Sequence, residues 1–258
     1  MVAASVVILT TGYPERVLKC LAKQTRQDFE ILIASEKGIV NAMNRALAKA
    51  KGEIFIRVDD DVDIPPMWLE ELLKPFSDPM IAGVTGPTFV PVERRAYRDS
   101  IRIAEKPNWF LRWMFDGKPF KPAAIYKCGS VSYGSNFREH IWYLGFEPDH
   151  LEGTNWAMRT ALIRKVGGFD EAFDGVAEWY DTDVEQKIKK LGYRLWYNYY
   201  AHLYHLLEEG NHFHERDEMF GRIDNWLRFH RRHSKFHYKK LIWLLMMIGY
   251  ALWPRKSR

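Results

Sequence analysis

Apolar and polar positions fall into short blocks of changing period over the first third of the chain. Residues 5–10 form a β-branched, apolar run that predicts a buried strand. Gly12, Tyr13 and Pro14 turn the chain, and Pro14 suits the opening of a helix over 15–23. A second strand is predicted over 28–34 (DFEILIA). Val40, Met43, Leu47 and Ala50 then recur at helical spacing, and Gly52 ends that amphipathic helix. Residues 53–58 predict a third strand, which runs into Asp59-Asp60-Asp61. Pro65-Pro66 start a helix through Leu73, and 81–85 predict a further strand. Strands alternating with helices at short intervals imply parallel strands joined by crossover helices, an α/β doubly wound sheet. Ligands in such sheets sit beyond the carboxyl ends of the strands, where the acidic run lies.

From 87 to 150 the pattern loosens into a segment rich in aromatics and Arg, broken by Gly129, Gly134 and Gly145. An irregular insertion is expected there, shaping an acceptor side. Regularity returns with a helix over 161–166 stopped by Gly167-Gly168, a helix over 183–191 closed by Gly192, and a strand over 194–199.

The tail has a different pattern. Met219, Phe220, Ile223, Trp226, Leu227 and His230 share one helical face, with Arg222, Arg228, Arg231 and Arg232 largely off it. Residues 241–253 (LIWLLMMIGYALW) are apolar without a break. As helix they reach roughly 20 Å, short of the ~30 Å hydrocarbon core. Trp243, Tyr250 and Trp253 with basic flanks fit a headgroup-level anchor. The reading is therefore a catalytic domain over 1–212, with the insertion at 87–150. An amphipathic interface helix plus a short hydrophobic membrane-anchoring segment follow over 213–258.

Composition narrows the partners. Hydrophobic residues make up 47% and charged residues 28% of the 258, so a packed core is expected and global disorder is excluded. Ten Trp and 15% aromatics suit carbohydrate platforms or a membrane belt. The net charge of +5 favours anionic partners, with the basic excess gathered towards the end. Cys20 and Cys128 show no metal-site or disulfide spacing, which leans towards a reducing compartment. The N-terminus reads as a first strand rather than a signal peptide.

Three adjacent carboxylates at a strand end repel one another and call for a cation. Hard oxygen ligands suit Mg²⁺ or Mn²⁺, and an ion on few protein ligands leaves room for phosphate oxygens of a departing nucleoside diphosphate. In extended backbone Asp59 and Asp61 point one way and Asp60 the other. One division puts Asp61 on the metal and Asp59 or Asp60 near a ribose.

Four ordered blocks widen this picture. They are VVILTTGYPERVLKCLAKQT, FEILIASEKGIVNAMNRALAKAKGEIFIRVDDDVDIPPMWL, GTNWAMRTALIRKVGGFDEAF and EWYDTDVEQKIKKLGYRLWYNYYAHLYH, spanning roughly 4–92 and 150–206. In order and spacing they resemble glycosyltransferase family 2, inverting enzymes of GT-A fold. The resemblance implies a nucleotide-sugar-dependent hexosyltransferase. It places Thr10 at the nucleotide base, and Glu36 near a base-reading acid, although ASEKG stands where DDGS is usual. Asp59, Asp60 and Asp61 match the DXD element, and Gly153, Thr154 and Asn155 the segment lining the donor sugar. Asp181 matches the general base. Tyr180 replaces the usual Glu beside it, and Glu178 is a rival. His205 completes the metal site with Asp61. A looser resemblance of the tail to cellulose-synthase-like enzymes makes Arg222 and Trp226 candidate diphosphate or acceptor contacts, with only Trp226 matching directly.

The leading expectation is transfer of mannose from GDP-mannose to a lipid-linked saccharide, with the catalytic domain on the cytoplasmic side of a membrane and no nucleic-acid partner. UDP-sugars remain as alternative donors. A sugar-nucleotide pyrophosphorylase is disfavoured, because TTGYPER carries one Gly where such enzymes have a Gly-rich basic loop. A basic lipid- or nucleic-acid-binding module leaves the DDD, GTN and WYDTD blocks unexplained.

Overall fold

The structure is a computed structural model and describes residues 2–35, 37–91, 108–117, 121–132, 144–207 and 218–252. The first strands are β1 (Ala4–Leu9), β2 (Phe29–Ala34) and β3 (Ile54–Asp59), then β4 (Val62–Asp63), β5 (Ile81–Thr85), β6 (Thr88–Phe89) and β7 (Gly145–Phe146). They are followed by β8 (Asn155–Arg159), β9 (Arg194–Asn198) and β10 (Leu203–His205). The helices are α1 (Glu15–Leu21), α2 (Ile39–Lys49), α3 (Trp68–Leu73), α4 (Trp109–Met114), α5 (Thr160–Lys165), α6 (Tyr180–Lys189), α7 (Met219–His233) and α8 (Tyr238–Leu252).

Seven strands form one sheet in the order β2-β1-β3-β8-β5-β9-β7. β1 pairs in parallel with β2 and β3, and β5 with β9. β8 runs antiparallel between β3 and β5, so those two share one direction, and β7 opposes β9 at the edge. The expected parallel frame is thus interrupted by two reversed strands. β8 escaped the sequence reading because Asn155–Arg159 is short and buried on both sides, without alternation.

Both faces of the sheet are covered at β1, β3 and β5, which explains their largely apolar sequences. Val7 and Leu9 point into a core shared with α2, α5 and α6, while Ala4, Val6 and Ile8 point into a second core with α1 and α3. Large side chains such as Trp68, Trp156 and Phe173 are fully buried, each contributing about 1.5–3 kcal/mol by burial. The start of α2 is capped from a distance: the Asp174 carboxylate accepts from the Val40 N–H at 3.3 Å and the Asn41 amide at 2.9 Å.

A second sheet, β4-β10-β6, is built from strands that follow the carboxyl ends of β3, β9 and β5 in the chain. Its antiparallel β10–β4 pair places His205 opposite Val62, and the Leu206 N–H donates to the Asp61 carbonyl at 3.0 Å.

The tail divides into two parts. Ile223, Asn225, Trp226, Phe229 and His230 of α7 are buried against the domain, so part of its apolar stripe faces inward, while Phe220 is exposed. α8 is different: Leu241, Leu245, Tyr250 and Leu252 are exposed, while Ile242 and Trp243 pack on the small core around Met114, Phe115 and Tyr126. Among the described residues no helix is long and apolar enough to cross a membrane. Trp253, the basic cluster at 255–258 and much of the expected insertion lie outside the described residues.

Candidate active site

The ends of β1, β3 and β8, the β4–β10 pair and the start of α6 converge on one acidic centre. β3 delivers Asp59, and the chain then turns through Asp60 and Asp61 into β4. The Thr10 hydroxyl, at the end of β1, donates to Asp60 Oδ2. Thr154, just before β8, donates through Oγ1 to Asp59 Oδ2 at 2.8 Å. His205 Nε2 lies 3.0 Å from Asp61 Oδ1. Ligand atoms of Asp59, Asp61 and His205 all lie within 4.8 Å of one another, a hard O/N donor set that suits Mn²⁺ or Mg²⁺.

The second half of the site is held by Arg57 from the middle of β3. Its side chain is 3% exposed. One guanidinium nitrogen lies 3.1 Å from Asp59 Oδ1 and the other 3.4 Å from Asp181 Oδ2. The Tyr180 ring lies 5.8 Å away. Burial opposes the Arg57 charge, but Tyr180, Asp59 and Asp181 outweigh it and hold the guanidinium above its ordinary value. Asp181 stands in the first turn of α6, where its Oδ1 accepts from the Thr182 N–H at 2.8 Å. This helix start is reached through Trp179, a bulky residue at φ 72°, held by stacking on Phe229 at 4.5 Å.

Two further carboxyls are shifted. Burial, opposed by the Thr10 hydroxyl and reinforced by Asp61 and Asp59, pushes Asp60 up. One turn beyond Asp181, Glu185 is fully buried, and burial followed by the Asp181 charge pushes it well above the carboxylate range. Its two oxygens accept from Trp156 Nε1 at 2.7 Å and the Leu151 N–H at 3.1 Å.

The structure thus brings together Thr10, Asp59, Asp60, Asp61, Asp181 and His205. Glu36 lies outside the described residues. Asn155 sits behind the site: it is fully buried, accepts from Trp68 Nε1 at 2.9 Å and donates to the Ala201 carbonyl at 2.7 Å. It thereby fixes the start of β8, next to Thr154. The rival acid Glu178 is 3.3 Å from Arg222 Nε, which ties α7 to the approach of α6. Trp226 is a correction. It is buried, donates to the Gly129 carbonyl at 2.9 Å and packs on His230, so it anchors a loop instead of offering a ring face. Gly129 (φ +85°) is what allows that approach, since a Cβ there would lie 2.7 Å from Trp226. Sequence reasoning missed Arg57 and Glu185. Each left a signal: a lone cation inside an apolar strand, and an acid on the inward face of an amphipathic helix.

A groove of about 530 Å³ along α3 and β9, lined by Glu71, Lys74, Trp196 and Tyr200 among others, shares no residue with this centre.

Residues 13–125 match the family model described as Glycosyl transferase family 2. That match takes in the acidic triplet and stops before Thr154, Asp181 and His205. No curated protein matches. Solved structures similar to this one include the mannosyltransferase PcManGT from Pyrobaculum calidifontis in complex with GDP-Man and Mn²⁺. It is 16% identical with a TM-score of 0.55, covering 96% of this chain and 73% of that one. GalNAc-T7 with UDP, GalNAc and Mn²⁺ is 13% identical at TM-score 0.55, covering 97% and 57%. S. aureus TarS is 15% identical at TM-score 0.52, covering 97% and 43%. This chain therefore spans well under two thirds of the last two.

Proposed function

We propose that this chain, a nucleotide-sugar-dependent glycosyltransferase of GT-A fold with a family 2 segment, is an inverting enzyme that moves mannose from GDP-mannose to a lipid-linked saccharide at a membrane surface. One observation carries the reading: a single buried guanidinium joins the donor-side acid Asp59 to Asp181. The metal-capable cluster and a carboxylate suited to proton removal are therefore parts of one site.

Asp59, Asp61 and His205 would hold Mn²⁺ or Mg²⁺, which when bound supplies Lewis-acid charge against the leaving diphosphate. Thr154 holds Asp59 in place, and Thr10 holds Asp60 beside the end of β1, where the nucleoside would lie. Asp181 takes the proton of the acceptor hydroxyl as that oxygen bonds to the anomeric carbon. The bond from the anomeric carbon to the diphosphate oxygen breaks, and its electron pair leaves with the nucleotide. No covalent sugar–enzyme step is needed, so configuration inverts.

The donor rests on the GDP-Man and Mn²⁺ in the Pyrobaculum calidifontis neighbour. The UDP in the GalNAc-T7 complex supports the alternative of a UDP-sugar. The lipid-linked acceptor and the cytoplasmic membrane face rest on α8. Leu241, Leu245, Tyr250 and Leu252 are exposed there, and the chain carries no Asp or Glu after Asp224. A screen of GDP-mannose, UDP-glucose and UDP-N-acetylglucosamine with Mn²⁺ and polyprenyl-diphosphate-linked saccharides tests this. Turnover with GDP-mannose alone is expected, and turnover confined to UDP-sugars overturns the donor.

A further inference from the structure

β3 reads Ile-Phe-Ile-Arg-Val-Asp, and its first three residues and Val58 are buried and apolar. Arg57 is equally buried. Taking a guanidinium out of water is costly, and an apolar residue in such a place is often neutral or stabilising. The fold alone gives β3 no reason to carry a cation there. The site does. Asp59 has one oxygen held by Thr154 and Asp181 has one held by the Thr182 N–H. Arg57 meets the other oxygen of each. Both carboxylates are thereby fixed against rotation by a rigid fork that Lys cannot reproduce. Gly153 completes the fit: a Cβ there would stand 3.0 Å from Arg57 Nη1 and 3.1 Å from Asp181 Oδ2, against the two partners of the bridge.

We propose that Arg57 is a positioning residue that sets the aim of the base Asp181 relative to the donor-side acid Asp59, with Gly153 kept small to leave room for that bridge. This rests on the reading of Asp181 as the base. Arg57 acts on the proton-removal step through Asp181, so its effect on kcat disappears when Asp181 is gone, while its hold on Asp59 belongs to donor binding and is read in KM.

The test is a double-mutant cycle of Arg57→Lys with Asp181→Asn in the full chain, using whichever of the three donors above the wild type turns over with Mn²⁺. Arg57→Lys is expected to lower kcat at least about tenfold, with donor KM within about threefold and melting near wild type. In the Asp181→Asn background the same change costs less than about twofold. Equal losses in both backgrounds, or no loss in the first, overturn the proposal. Should Arg57→Lys fail to fold, Gly153→Ala presses on the bridge from outside and is held to the same two criteria. Undiminished transfer by Asp181→Asn alone removes the base reading and the proposal with it. That outcome is separate from one in which Asp181→Asn is inactive and Arg57→Lys is not.

Discussion

Asp183→Asn is the change whose size the structure sets most clearly. Asp183 is fully buried on α6, where His233 Nε2 at 2.7 Å, Lys187 Nζ at 2.6 Å and Arg232 Nη1 at 3.4 Å converge on it. Burial alone would raise its pKa, but His233 and Lys187 more than reverse this and bring it from 3.8 to about 2. That displacement is worth about 2 kcal/mol. The folded value is depressed, so this stability is fully present above about pH 4 and is lost as pH falls through about 2. By pH 3 roughly half of it remains. Asparagine removes the charge and leaves Lys187, Arg232 and the His233 ring around a neutral amide, so the loss at pH 7 is at least about 2 kcal/mol. In a chain of this size that lowers Tm by roughly 4–8 °C. Urea unfolding of both proteins from pH 7 to pH 3 measures it. The gap between wild type and variant narrows towards acid. Equal stability at pH 7, or a gap constant with pH, refutes the reading that these contacts stabilise the Asp183 carboxylate.

Two more outcomes are expected. Glu185 is raised above its unfolded value, so its stabilising contribution is complete below about pH 4.5 and declines as pH rises towards the folded value. Glu185→Gln removes that decline and flattens Tm between pH 5 and 8. It also lowers Tm overall, because both Glu185 oxygens accept from N–H donors and the new amide nitrogen faces one of them, at about 1–3 kcal/mol. A Tm profile as steep as wild type contradicts this. Leu245→Glu, on the exposed side of α8, should weaken sedimentation with anionic phospholipid vesicles at least about tenfold with little change in Tm, since Leu245 is 60% exposed. Unchanged vesicle binding argues against α8 as the membrane-facing surface.

The legible parts of this molecule are those written in local periodicity. β1, β3 and β5 were readable because both faces of the sheet are covered there and most of their residues are apolar. The triplet at the end of β3 and His205 were readable as motifs, and their meeting depends on the β4–β10 pair, whose strands are two and three residues long. Strands that short leave no periodic trace. Arg57 went unread because a single cation in an apolar run has no period, and its partner Asp181 is 124 positions away. The Asp183–His233 contact spans 50 positions. Trp226 shows the converse: its place on an amphipathic stripe was visible, but the loop that covers it, turned by Gly129, was not.

The central claim is that one site binds a nucleotide with its metal and removes the acceptor proton through Asp181. The most direct measurement compares sugar transfer and Mn²⁺-dependent GDP binding in wild type and Asp181→Asn. Transfer is predicted to fall by about 10²–10⁴-fold while nucleotide affinity stays within about threefold. Transfer at the wild-type rate by Asp181→Asn would contradict the account.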